Sequence, residues 1–165
     1  MQIKLYKLDR TFRHFLSAFI LLLLASTFTG LAFVYQTTQF AKTGITERYS
    51  GSITSPSDDF DILEKYPKSY SEMLLNTHNH LFGFAFIFFT LGFVFYFNSV
   101  ITGFWKYLLL VEPFFSVLIT FSGMWAMRFI HPGFVCAVII AGFLTYAAIF
   151  IMAFTLIYEL LLKKD

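Results

Sequence analysis

Four stretches of this chain are each apolar and long enough to cross the hydrocarbon core of a bilayer, which takes about 20 residues at a rise of roughly 1.5 Å each. They run approximately from His14 to Tyr35, Thr77 to Phe97, Phe104 to Met127 and Pro132 to Tyr158. Composition agrees, since 58% of the 165 residues are hydrophobic and 13% are charged, far from the balance of a soluble domain. The expected fold class is all-α: one integral membrane four-helix bundle over residues 1–165, with a long outer loop, 36–76, between spans one and two.

The first span follows Lys4, Lys7, Arg10 and Arg13, as the core of a signal peptide would. Its apolar stretch exceeds the roughly 7 to 15 residues of such a core, and no convincing small-x-small cleavage site follows. It is expected to remain as a membrane anchor. Further basic residues lie at Lys106 and at Lys163 and Lys164. The positive-inside bias then predicts cytoplasmic N and C termini, with the 36–76 loop and the "RFIHPG" turn outside. The formal charge of +2 is explained by this topology and makes no nucleic-acid face. Cys136, inside span four, has no second cysteine to pair with.

The outer loop carries turn formers in "SGSITSPSDDFD", and Ser57, Asp58 and Asp59 after Pro56 are helix-start chemistry that Pro67 should interrupt. Ser69 as N-cap and Glu72 three residues on predict a capping box, so span two begins as a water-exposed helix and enters the membrane near Thr77. In span four, Gly133, Ala137, Ala141 and Thr145 recur every four residues, with Ala148 close to the same stripe. In span three, Glu112, Ser116, Ile119, Gly123 and Ala126 form a second stripe. Such faces let membrane helices approach closely, and both are expected in the bundle interior.

Residues able to carry chemistry are few. His78 and His80 sit where polar sequence turns apolar, and His131 stands in the turn between spans three and four, which places three imidazoles at one membrane depth. Two imidazoles on neighbouring helices can hold a b-type haem, with Arg128 pairing a propionate. The same set, His78 and His131 above all, could bind copper or zinc, and a quinone carbonyl needs no more than one donor in an apolar cleft. Residues two apart on a helix point roughly 200° from each other, so His78 and His80 cannot serve one ion from a regular helix. His78 shares a face with Phe82, Ala85, Phe89 and Gly92, which leaves room for a neighbour or flat ring and makes it the preferred inward ligand. Against all of this, histidine is at home at a membrane interface with no ligand. His14, beside Arg10 and Arg13, is read as an interfacial residue.

Glu112 lies about 12 Å of helix inward from Phe104, where a charged carboxyl facing lipid costs on the order of 2.5 kcal/mol or more. It should face the bundle, paired or protonated there, either as a proton relay or as a hydrogen-bonding residue of helix packing.

The segments "TGIT", "YSG" and "YPKSYSEMLLNTHNH" resemble a family of small bacterial four-span membrane proteins associated with cytochrome-rich respiratory systems. The matching residues are Thr43, Gly44, Thr46, Tyr49, Gly51, Pro67, Lys68, Ser69, Glu72, Met73, Leu74, Thr77, His78 and His80, about the middle third of the chain. That pattern has a further histidine after the glycine of span two, where this chain has Phe93 beside Gly92. The resemblance implies a bacterial cytoplasmic (inner) membrane and carries no established activity; the leading reading of the residues is a subunit of an electron-transfer assembly in the lipid bilayer. It would bind b-type haem or quinol near the outer face, among other membrane subunits, with a periplasmic cytochrome docking on the 36–76 loop. Two other readings stand beside it: a cofactor-free scaffold subunit of a larger membrane complex, and a proton-conducting or transport element using Glu112. The absence of inverted repeats argues against a self-sufficient transporter.

Overall fold

The computed structural model describes residues 4–52 and 65–163, and within them every regular element is helical. A short 3-10 turn, Leu5–Lys7, leads to α1 (Arg10–Thr38), α2 (Lys42–Ser50), α3 (Tyr70–Tyr96) and α4 (Gly103–Phe129). A second 3-10 turn, Pro132–Phe134, opens α5 (Val135–Ile157), which ends in a π-helical turn, Tyr158–Leu162. Among these, α1, α3, α4 and α5 with its flanking turns are long and apolar enough to span a membrane. In lipid such segments must satisfy their own backbone groups, and helices do this.

The spans lie where hydropathy predicts them, a few residues longer at most ends. Asp9 caps α1 by accepting from the Phe12 amide at 3.0 Å. α3 starts at the expected capping box: the Glu72 amide donates to Ser69 Oγ, and the Ser69 amide donates to Glu72 Oε2 at 2.7 Å. α4 runs through Pro113 as one helix. The predicted helix start at Ser57, Asp58 and Asp59 lies outside the described residues.

α5 is the central helix, in contact with α1, α2, α3 and α4, and its longest contact is with α4. The core fills the end of the bundle nearer the chain termini, where Ile20, Leu91, Phe95, Ile149, Met152 and Leu156 are fully buried. Hydroxyls inside the spans bond their own helix, as Thr27 does to the Leu23 carbonyl and Thr145 to the Ala141 carbonyl. This lets polar side chains sit in an apolar bundle without a partner helix.

The small-residue stripes are realised in part. Ala141, Thr145 and Ala148 are buried on α5, whereas Gly133 is exposed in the turn before the helix. On α4, Pro113, Ser116, Val117, Gly123 and Met127 are buried, but Ile119 is 51% exposed. From Ser116 the seam with α5 continues four residues on, at the half-buried Thr120, and so turns Ile119 outward.

The helix no sequence pattern announced is α2. It packs on α1, α4 and α5 at the end of the bundle opposite the termini. A β-carbon added at Gly44 would run into the Thr38 carbonyl of α1, so this close return of the chain demands glycine. Gly51 ends α2 at φ +87°, with Pro67 against it. The Gly44→Ala variant is expected to destabilise the fold by about 1–3 kcal/mol. Thermal unfolding in detergent checks this against Gly142→Ala, where nothing lies within 4 Å of the added carbon. Equal midpoints for the two variants would show that the α1–α2 return is not tight.

Candidate functional site

The residues that marked the middle of the sequence converge at the α2 end of the bundle. Thr46 and Ser50 turn toward Met127 of α4, with Ser50 Oγ donating to its carbonyl at 3.3 Å. The Lys68 amide donates to the Tyr49 carbonyl at 3.0 Å, and Arg128 Nε donates to the Lys68 carbonyl at 3.0 Å. Arg128 therefore staples the start of α3 to the end of α4, and its guanidinium also lies 5.0 Å from the Phe129 ring. The Tyr49 phenol faces the side chains of Arg48 and Asn76, and burial pushes its ionisation above the ordinary tyrosine value while those two neighbours pull it down. Ser52 and Lys65 close the loop between them: the Ser52 amide donates to the Lys65 carbonyl at 3.0 Å, and the Lys65 amide to Ser52 Oγ at 3.1 Å. An exposed ion pair, Lys65 to Glu47 at 3.1 Å, adds little in energy.

The three histidines of this end do different things. His131 Nδ1 accepts from the Gly133 amide at 2.9 Å and so caps its turn. His78 is exposed and stacks on Phe82, which is itself 62% exposed. His80 leans the other way, its ring 5.7 Å from that of Phe121 on α4, with Nδ1 2.9 Å from the Asn76 carbonyl. Both rings are exposed, and the one that lies against α4 is His80 and not the preferred His78, because α3 turns its large Phe84, Phe88, Leu91 and Phe95 toward the core and leaves Ala85 exposed.

Beside His80, α3 and α4 enclose a cleft of about 440 Å³ lined by Thr77, Leu81, Phe121, Ser122 and Trp125, where Trp125 Nε1 donates to Thr77 Oγ1 at 2.9 Å. None of His78, His80 and His131 lines it; His80 reaches only its Phe121 wall. A bis-imidazole b-haem within the chain needs two histidines meeting in one cleft, and His78, His80 and His131 are not brought together in one. Nor do three His, Cys, Asp or Glu side chains gather into a metal-binding group among the described residues.

The opposite end holds a carboxylate that sequence reading passed over. Glu159, in the π-helical turn, is fully buried and accepts from the Ser99 amide at 2.8 Å and from Ser99 Oγ at 2.6 Å. Lys163 Nζ donates to the same hydroxyl at 2.7 Å, Lys106 Nζ to the Asn98 carbonyl at 2.8 Å, and Arg13 Nε to the Leu160 carbonyl at 2.6 Å. Asn98 is buried, and its Oδ1 accepts from the Val100 and Ile101 amides at 3.0 and 2.8 Å. The cluster ties the end of α5 to the α3–α4 turn and to the start of α1. Its signal in the sequence was an acid placed just before Lys163 and Lys164, where positive charge is the rule.

Glu112 belongs to neither group. It is half-buried on α4 and accepts a hydrogen bond from Ser116 Oγ, one turn along its own helix. It also lines a second cleft, between α4 and α5.

A family model described as a transmembrane helical domain matches residues 39–165. No curated protein and no solved structure matches the chain.

Glu159→Ala is expected to cost about 3 kcal/mol or more, because it leaves the Ser99 amide and hydroxyl without their acceptor. Glu159→Gln retains one acceptor oxygen and should lose less. Unfolding midpoints in detergent decide, and a neutral Glu159→Ala would mean that the cluster does not hold the end of α5.

Proposed function

Because the chain belongs to this family of transmembrane helical domains, we propose that it is a structural subunit of a larger membrane complex and that its α2 end is the docking face. One observation carries the reading: the distinctive residues of the middle segment are used in building a surface. Gly44 and Gly51 shape α2, the Tyr49 and Lys68 backbones join it to α3, and Ser69 with Glu72 starts that helix. A motif spent on holding one polar face rigid suits presentation to a partner better than turnover of a substrate. With cytoplasmic termini in a bacterial inner membrane, this face looks into the periplasm, where a cytochrome or the outer part of a neighbouring subunit can meet it.

Lys42 and Thr43 are exposed on α2 at this face, with Lys65, Tyr66 and Ser69 also exposed there. Extraction in mild detergent should yield an assembly of fixed stoichiometry, and Lys42→Glu with Thr43→Arg should release the chain from it without altering its unfolding midpoint. A chain that runs alone before and after substitution would overturn the reading.

His80 supports a second reading, in which the subunit takes part in electron transfer. With Nδ1 held by the Asn76 carbonyl, Nε2 is the free nitrogen, and a carbonyl behind an imidazole is the common support of a ligating histidine. In this reading His80 supplies one axial ligand to a b-type haem, or a hydrogen bond to a quinol, at the edge of the α3–α4 cleft, and a neighbouring subunit completes the site. A reduced-minus-oxidised spectrum of the assembly tests it: His80→Ala should remove a b-type band that His14→Ala and His78→Ala retain. Equal spectra for all three would exclude His80 as a ligand.

A further inference from the structure

The 98–103 turn and the first half of α4 stand off from α5 and leave a cleft of about 570 Å³, a size in the range of small-molecule sites, roughly 300–1,000 Å³. Its walls are apolar, formed chiefly by Ile101, Leu109, Leu144 and Ala147, and Glu112 brings a carboxyl into them. The hydrogen bond Glu112 receives comes from Ser116 of its own helix. Among the described residues no cation makes an ion pair with it. Lys106 is engaged at the Asn98 carbonyl and the Tyr96 ring, and Lys163 at Ser99 and the Tyr6 ring. Glu159 and Glu112 thus share one half of the bundle with opposite provision. Each carboxylate oxygen of the first accepts from Ser99, while the second borders open apolar volume.

A carboxylate within a membrane span, against an apolar cleft, is complementary to a cation that carries its own apolar body. The cation compensates the charge, and the body replaces lipid or water against the walls. Trp105, also lining the cleft and 66% exposed, adds an indole face of the kind that attracts quaternary cations. We propose that the α4–α5 cleft binds a lipophilic cation, an ammonium-type charge on an apolar frame, with Glu112 as its counter-charge. This site lies at the other end of the molecule from the proposed docking face and does not depend on it.

Tetraphenylphosphonium is a suitable probe. Equilibrium binding to the purified full chain in lipid nanodiscs should be saturable at one per chain, and tetraphenylborate, of the same shape and opposite charge, titrated in a separate experiment, should show no saturable binding. Glu112→Gln retains an acceptor for Ser116 and should weaken binding at least tenfold. Ala147→Leu should abolish it by filling the cleft. Equal affinity in Glu112→Gln, saturable binding of tetraphenylborate lost in Ala147→Leu, or no saturable binding of tetraphenylphosphonium would each overturn the proposal. Should either variant fail to fold, the wild-type chain still decides: bound tetraphenylphosphonium should slow carbodiimide labelling of Glu112, and an unchanged labelling rate would refute the site.

Discussion

The other three spans all find a place against α5, and they can do so because its inward positions are small along one stretch and mostly large along the next. Ala141, Thr145 and Ala148 bring neighbouring backbones close, while Ile149, Met152 and Leu156 fill the space where the helices diverge. In a bilayer there is no water to drive helices together, so close van der Waals contact and interhelical hydrogen bonds must do the work. The seam with α4 shows this directly: Gly123 lies against Val138, where an added β-carbon would stand 3.0 Å from the valine methyl. The sizes of a few α5 side chains therefore govern where every other helix runs.

Polar bonding then divides the molecule into two ends with separate jobs. At the terminal end, Glu159 and Asn98 serve backbone amides of the α3–α4 turn, which a short connection of this kind cannot satisfy internally. At the α2 end, Arg128 and Ser50 serve carbonyls of the returning loop and of α4. In both places charged or polar side chains act on main-chain groups. This explains how several costly residues are retained in a chain of such apolar composition without any of them needing a substrate.

What was legible in the sequence follows from range. Spans are set by the hydropathy of contiguous residues, and the Ser69–Glu72 cap by a spacing of three, so both could be read locally. α2 could not, since it is polar, short and lacks an apolar stripe, and its position depends on Gly44 meeting a carbonyl of α1. Glu159 escaped notice for a similar reason: its partner Ser99 is 60 residues away. The orientation of α3 failed differently. Two imidazoles two residues apart must face apart, as expected, but which one faces α4 was settled by the bulk of Phe84, Phe88 and Leu91 and not by the space beside Ala85.

The same distinction bears on how the resemblance should be understood. Residues that identify the middle segment could mark a ligand set or a fold. Gly44, Gly51, Pro67, Ser69 and Glu72 have backbone reasons to be what they are: close approach, positive φ, a chain stop and a helix start. Met73 is buried, and Thr77 holds the Trp125 indole. After these are accounted for, His80 remains as the member of the segment whose side chain is oriented by a backbone carbonyl yet has a ring nitrogen to spare. The fold-building motif thus leaves one imidazole, His80, oriented by its own helix and lying against the Phe121 ring of α4.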